Sequence, residues 1–126
     1  MFEDLIGKSF SYDPAIGYSC WSLVVETCSR VGIRLPDYNI VEDASYIKDL
    51  VKIEKPKYLK IEQPEPYCLV LFRIPNPKKL ISYHIGMVLL DTRFFIHAAR
   101  GTGVCIARLN SPAYWLTREG FYKLCN

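Results

Sequence analysis

The strongest constraint on this 126-residue chain is a change of hydrophobic period part-way along it. From Cys20 to Val31 (CWSLVVETCSRV), Leu23, Val24, Thr27, Cys28 and Val31 recur at steps of three and four, which places them on one face of a helix. Ser19 before it is a good N-cap residue; Gly32 is a stop signal, with Pro36 shortly beyond. Ala44 to Val51 reads as a second, short helix. Lys52 to Pro66, with Pro56, Pro64 and Pro66, reads as irregular connection. From there the period becomes two. Tyr67–Arg73, Tyr83–Leu90, Arg93–Ala98, Val104–Leu109 and Gly120–Cys125 read as strands. Helices followed by a run of strands predict an α+β fold, a single domain over residues 1–126 with an antiparallel sheet of roughly five strands.

Half of the residues are hydrophobic, enough for one core, so a disordered chain is excluded. Sixteen Lys and Arg against thirteen Asp and Glu leave a net charge of only +3, which gives no ground for a nucleic-acid partner. The run Lys52, Lys55, Lys57, Lys60 is interrupted by Glu54 and Glu62 and reads as a solvated face. The five cysteines (Cys20, Cys28, Cys68, Cys105 and Cys125) are odd in number and show no CxxC spacing. Neither a disulfide framework nor a structural zinc site is therefore expected, and reduced thiols are. No apolar run approaches the ~20 residues of a membrane span. The start, MFEDLIGKSF, is acidic and lacks a long apolar stretch, so synthesis in the cytoplasm without a signal peptide is expected.

One position has a physical reason to be reactive. Cys20 stands at the start of the first helix, where unpaired N–H groups and the helix dipole favour a thiolate and can also hold an oxyanion. Taken alone, a free thiol is more often a buried structural cysteine, as expected for Cys28, Cys68 and Cys105. A nucleophilic thiol needs a base, and the chain has only two histidines, His84 and His97. A two-residue turn at Asp91-Thr92 pairs Leu90 with Arg93, which sets His84 opposite Ala99 and His97 opposite Gly86. Both histidines then share one sheet face as diagonal neighbours, ~7 Å apart at the backbone. A four-residue loop keeps this register, whereas a three-residue loop sends them to opposite faces. In the favourable register His84 is the base and His97 orients its ring, with Gly86 leaving room beside them. Ile85, Met87 and Leu89 point the other way, toward the helix or another covering layer. No carboxylate or cysteine stands at metal-ligand spacing from the histidines, so neither metal nor cofactor is expected. Tyr114-Trp115 reads equally as a substrate-side aromatic wall or as a loop packed on the sheet.

The segments GYSCWSLV, GIRLPDY, CLVLFR and HIGMVLLDTRFFIHA together resemble the NlpC/p60 superfamily of cell-wall cysteine peptidases, most closely the branch found in bacteriophage tails and prophages. The resemblance runs from about Gly7 to the last strand. It implies a papain-like fold with the nucleophile helix packed on the sheet, with Cys20 as nucleophile, His84 as base and His97 as polar third member. It also implies a substrate, the peptide part of peptidoglycan, cut at a D-γ-glutamyl–diamino-acid bond. Tyr12, with Phe10 as the alternative, and Trp21 are the candidates for lining the oxyanion and substrate side. The implied partners are peptidoglycan peptides and phage tail proteins, and the implied location is a virion tail or delivery to the cell wall. Three departures stand out. Ser19 replaces the usual Asp, Ser22 stands where the usual small residue is often Gly, and Pro66-Tyr67-Cys68 replaces the usual Pro-Gly-Asp at the head of the first long strand. Ser19 in particular keeps open a non-catalytic tail or docking module of the same fold; an amidase or acyltransferase acting on another amide is a third reading.

Overall fold

The computed structural model describes residues 1–35, 58–75 and 81–124; Pro36, the Ala44–Val51 helix and Cys125 lie outside the described residues. Helix α1 spans Cys20–Arg30, as its period requires. Ser19 Oγ accepts the Ser22 N–H at 3.2 Å, and Ser22 Oγ accepts the Ser19 N–H at 2.9 Å. This is a capping box with serine at both positions, so two of the three departures form a single device that closes the helix start. At the other end Gly32 takes φ +84°, and the Ile33 N–H returns to the Cys28 carbonyl at 2.8 Å. The buried stripe is Cys20, Trp21, Leu23, Val24, Thr27 and Cys28.

Two short parallel strands, β1 (Ser9–Phe10) and β2 (Gly17–Tyr18), precede the helix. The main sheet has six antiparallel strands: β3 (Tyr58–Ile61), β4 (Leu69–Pro75), β5 (Ile81–Val88), β6 (Phe94–Ala99), β7 (Gly103–Arg108) and β8 (Arg118–Leu124). Their spatial order is β3-β8-β4-β5-β6-β7. A short helix α2 (Pro112–Trp115) lies between β7 and β8. The sheet is thus larger than the five strands expected. Strand β3 falls inside the stretch read as irregular, where four residues between Pro56 and Pro64 carry too little pattern of their own. They become a strand by pairing with β8, from Tyr58↔Leu124 to Ile61↔Phe121, at an edge where flanking prolines are tolerated.

Alternation along the strands sorts side chains into two layers. Leu69, Leu71, Tyr83, Ile85, Met87, Ile96 and Ala98 meet the buried stripe of α1. Cys68, Val70, Phe72, Val88, Phe95 and Phe121 form the opposite layer, against which Tyr114 of α2 packs. The β5–β6 hairpin adopts the expected register, with Met87↔Ile96 and Val88↔Phe95 paired. Its loop is the four-residue form: Leu89 N–H bonds the Phe94 carbonyl at 2.9 Å, and Phe94 N–H bonds the Asp91 carbonyl at 3.1 Å. Gly86 is required by space, since a Cβ there would lie 2.8 Å from a Phe95 ring carbon and 2.9 Å from the Ile96 carbonyl oxygen. The segment before β1 holds the outer edge of β7, through Gly7 N–H to Val104 O at 2.9 Å and Val104 N–H to Lys8 O at 2.8 Å.

The third departure also has a structural trace. Tyr67, at the position of the usual glycine, has φ +66°, and among the described residues it is the one non-glycine in the left-handed region. Its N–H bonds the Val88 carbonyl at 2.9 Å, and the returning Val88 N–H bonds Cys68 at 2.8 Å, so the β4–β5 ladder holds it there. The ring packs against the α1-side core, which offsets part of the strain. Removing the ring should therefore destabilise Tyr67→Ala more than Tyr67→Gly, by about 1 kcal/mol. Paired urea-denaturation midpoints of the two variants measure this difference, with Tyr67→Ala the lower.

Candidate active site

The hairpin register brings the two histidines together. His84 Nε2 lies 2.7 Å from His97 Nδ1, with the rings 4.9 Å apart at 75°. They occupy the sheet face away from α1. His84 stacks on Phe72 at 6.0 Å, and His97 lies 4.7 Å from the Phe95 ring and edge-on to Tyr114 at 5.4 Å. Tyr114 also contacts Phe72 and Phe95, so it packs on the sheet and at the same time walls the imidazole pair. Trp115 points outward at 53% exposure, with the Arg118 guanidinium 4.2 Å from its ring.

This aromatic enclosure sets the charge of the pair. Burial holds both imidazoles well below their ordinary value of 6.5, and the neighbouring His97 lowers His84 further. Both are neutral at neutral pH, so each ring carries one N–H and a single proton bridges the 2.7 Å contact. Because His84 Nε2 is engaged, Nδ1 is the atom this ring has left for acid–base work.

Cys20 is the first residue of α1, 8% exposed, in the core layer on the helix side. The N–H groups of Ile85, Trp21 and Cys20 itself favour its thiolate, but burial outweighs them and pushes the thiol up to about 11. The expected lowering at a helix start is thus reversed in the free protein, because the core layer that takes in Cys20 removes the sulfur from water. Ile85 directly follows His84, so Cys20 approaches β5 one residue from that histidine. Among the described residues no hydrogen bond joins Cys20 Sγ to either imidazole; the structure joins the histidines to each other and brings the thiol to their strand.

The supporting residues divide. Trp21, expected on the substrate side, is 2% exposed in the core, and it is its backbone N–H that faces the sulfur. Tyr12 lies just past β1, whose Phe10 pairs with Tyr18 two residues before Cys20. Its ring stands edge-on to Phe10 at 5.4 Å, and the Arg100 guanidinium lies 5.5 Å from it, which ties this aromatic pair to the β6–β7 turn. Cys28 is core as expected, 3.8 Å from Met87 Sδ, and Cys68 is buried. Cys105 is not core. It sits half-buried on β7 opposite His97, with Sγ 3.4 Å from His97 Nε2. Sequence reasoning missed this contact, although a Gly-Thr-Gly turn between Ala99 and Val104 is a signal that would have paired the two residues.

The profile of the NlpC/P60 family matches residues 7–119. Among solved structures, the chain is similar to a protein described as similar to lipoprotein, NLP/P60 family, from Staphylococcus aureus subsp. aureus Mu50, with a TM-score of 0.66 and 17% identity. That match covers 98% of this chain and 38% of the other, so this chain spans well under half of the Staphylococcus protein, and at this identity the likeness concerns the fold, which is papain-like. No curated protein matches the chain. Among the described residues no helix is long and apolar enough to cross a membrane.

The neutral imidazole pair has a consequence for stability. In the unfolded chain each histidine takes up a proton near its ordinary 6.5, whereas folded His97 does so only at about 4 and His84 lower still. The unfolded state therefore binds more protons between these values, and stability present above pH 6.5 is lost as pH falls toward 4. Asp4 and Asp91, held low by Arg30 and Arg93, lose their contribution only below about 3.8, so the two effects separate. Urea midpoints should fall steadily from pH 7 to pH 4.5, with a shallower slope in His97→Gln; equal slopes would show that the pair titrates normally.

Proposed function

The chain belongs to the NlpC/P60 family, and on that premise we propose that it is a thiol hydrolase of peptidoglycan stem peptides, cutting a D-γ-glutamyl–diamino-acid bond through a Cys20 thioester. The observation that carries this reading is the His84 Nε2–His97 Nδ1 contact of 2.7 Å, which holds a neutral imidazole with Nδ1 as its remaining atom.

Both partners start neutral, so the thiol proton must leave as the sulfur attacks. His84 Nδ1 takes the proton from Cys20 Sγ, and Sγ bonds to the substrate carbonyl carbon. The carbonyl oxygen becomes an oxyanion near the N–H groups at the start of α1. His84 then gives the proton to the leaving amine nitrogen, the C–N bond breaks, and a thioester remains. Water attacks the thioester, losing its proton to His84 Nδ1, and the acid leaves as Cys20 Sγ recovers the proton. Positive charge on His84 during both steps is shared with His97 through Nε2. Among the described residues no hydrogen bond joins the thiol to an imidazole in the free protein, so this reading requires Cys20 Sγ and His84 Nδ1 to close on each other when substrate binds, as catalytic hydrogen bonds commonly do.

A second reading, a non-catalytic tail or docking module, draws on the buried, protonated Cys20. An amidase or acyltransferase on another amide would use the same steps with a different acceptor. The tail-associated setting, and a route to the cell wall, rest on the sequence motifs alone.

A digest of purified peptidoglycan with products identified by mass separates these readings. Muropeptides cut between D-glutamate and the diamino acid are expected for the hydrolase; no product and no alkylation of Cys20 protected by substrate are expected for the module. Cys20→Ala and His84→Ala should each lower turnover by at least about 100-fold with the fold retained. His97→Gln should keep part of the activity and His97→Ala less. Full turnover by Cys20→Ala would overturn the thiol mechanism.

A further inference from the structure

The hydrogen-bond contacts around the imidazole pair continue beyond it to the sheet edge. Strands β6 and β7 pair His97↔Cys105 and Ala99↔Gly103 across the turn Arg100–Thr102, so Cys105 shares the face of His97. Thr102 Oγ1 lies 3.5 Å from the Ala99 carbonyl oxygen and 3.4 Å from that of Gly103. Carbonyl oxygens only accept, so the threonine hydroxyl proton is directed to them and its lone pairs face outward. Cys105 Sγ lies 3.8 Å from Thr102 Oγ1, within reach of a long S–H···O bond. A thiol has one proton. If it goes to Thr102, the sulfur can only accept from His97 Nε2, 3.4 Å away.

The remaining assignments follow from counting protons on neutral rings. His97 with its proton on Nε2 presents a bare Nδ1, and the 2.7 Å contact then requires the His84 proton on Nε2. His84 Nδ1 is left without a proton, the form a base must have. Were the Cys105 proton turned to His97 Nε2 instead, both bonds made by His97 would reverse. His97 would donate from Nδ1 to His84 Nε2, and the His84 proton would be forced onto Nδ1, where it blocks the base. The two arrangements use the same atoms at the same distances and differ only in which end of the chain fixes the direction.

We infer that Thr102 and Cys105 are positioning residues that set the tautomer of both histidines, the threonine acting as the anchor that holds the hydrogen-bond chain in its base-competent direction. This rests on the proposed role of His84 for its effect on turnover, but not for the tautomers themselves. The anchor lies in an exposed turn outside both core layers, so it can be changed without disturbing the packing.

The test uses the full chain, labelled with 15N, and long-range proton–nitrogen spectra that distinguish Nδ1–H from Nε2–H imidazole. Wild type and Thr102→Ser should show both histidines as Nε2–H. Thr102→Val removes the anchor with little change of shape, and both histidines should move to Nδ1–H. Thr102→Val combined with Cys105→Asp places an acceptor-only carboxylate on His97 Nε2 and should restore Nε2–H. On peptidoglycan, kcat should fall about tenfold or more in Thr102→Val with KM unchanged, and recover in the double variant. Nδ1–H tautomers in the wild type, or tautomers indifferent to Thr102→Val, would overturn the inference. Tautomers that move as described in a protein that cuts no muropeptide would leave the inference standing and overturn the hydrolase.

Discussion

A single proton between His84 Nε2 and His97 Nδ1 is the constraint on which the site depends. Two neutral imidazoles 2.7 Å apart have no other way to avoid facing two lone pairs or two N–H groups, and in a low-dielectric enclosure either mismatch is costly. The rest of the molecule maintains that contact. The four-residue loop after Leu89 fixes the register, Gly86 leaves space for the Phe95 and His97 side chains, and Phe72, Phe95 and Tyr114 exclude water. Burial on the other layer likewise keeps Cys20 protonated, so the proposed nucleophile and base are both stored uncharged.

That arrangement differs from a resting thiolate–imidazolium pair. Charge would appear only as bonds change, and the groups that stabilise it are already in place: the N–H groups around Cys20 on one side and His97 on the other. The serine capping box fits this economy of charge. An acidic cap would add a negative group beside the sulfur, whereas Ser19 and Ser22 satisfy the helix start with neutral hydroxyls.

Much of this could be read from residues in order. The α1 stripe and the β5–β6 register were legible because each depends on local spacing: three- and four-residue steps in one case, a short loop in the other. The features that escaped are those decided by distant partners. Strand β3 exists because β8 pairs with it. The left-handed Tyr67 is held by Val88, twenty-one positions along the chain. The Cys20 thiol is governed by burial, which no spacing rule reports, and that reversed the expected effect of the helix start. Cys105 was assigned to the core because an alternating strand offers two faces, and only the β6–β7 pairing says which one it takes.

The turn Arg100–Thr102 has a bearing on how such a domain can diverge. Loops elsewhere on a fold drift in length at little cost. Here a single inserted or deleted residue would shift β7 by one position, turning Cys105 toward α1 and bringing a neighbour against His97. The imidazole pair would survive, since it belongs to the preceding hairpin, but the group behind it would be exchanged. Lineages that lengthen or shorten this turn are therefore obliged to recruit a different acceptor, so turn length and the residue opposite His97 should change together through descent.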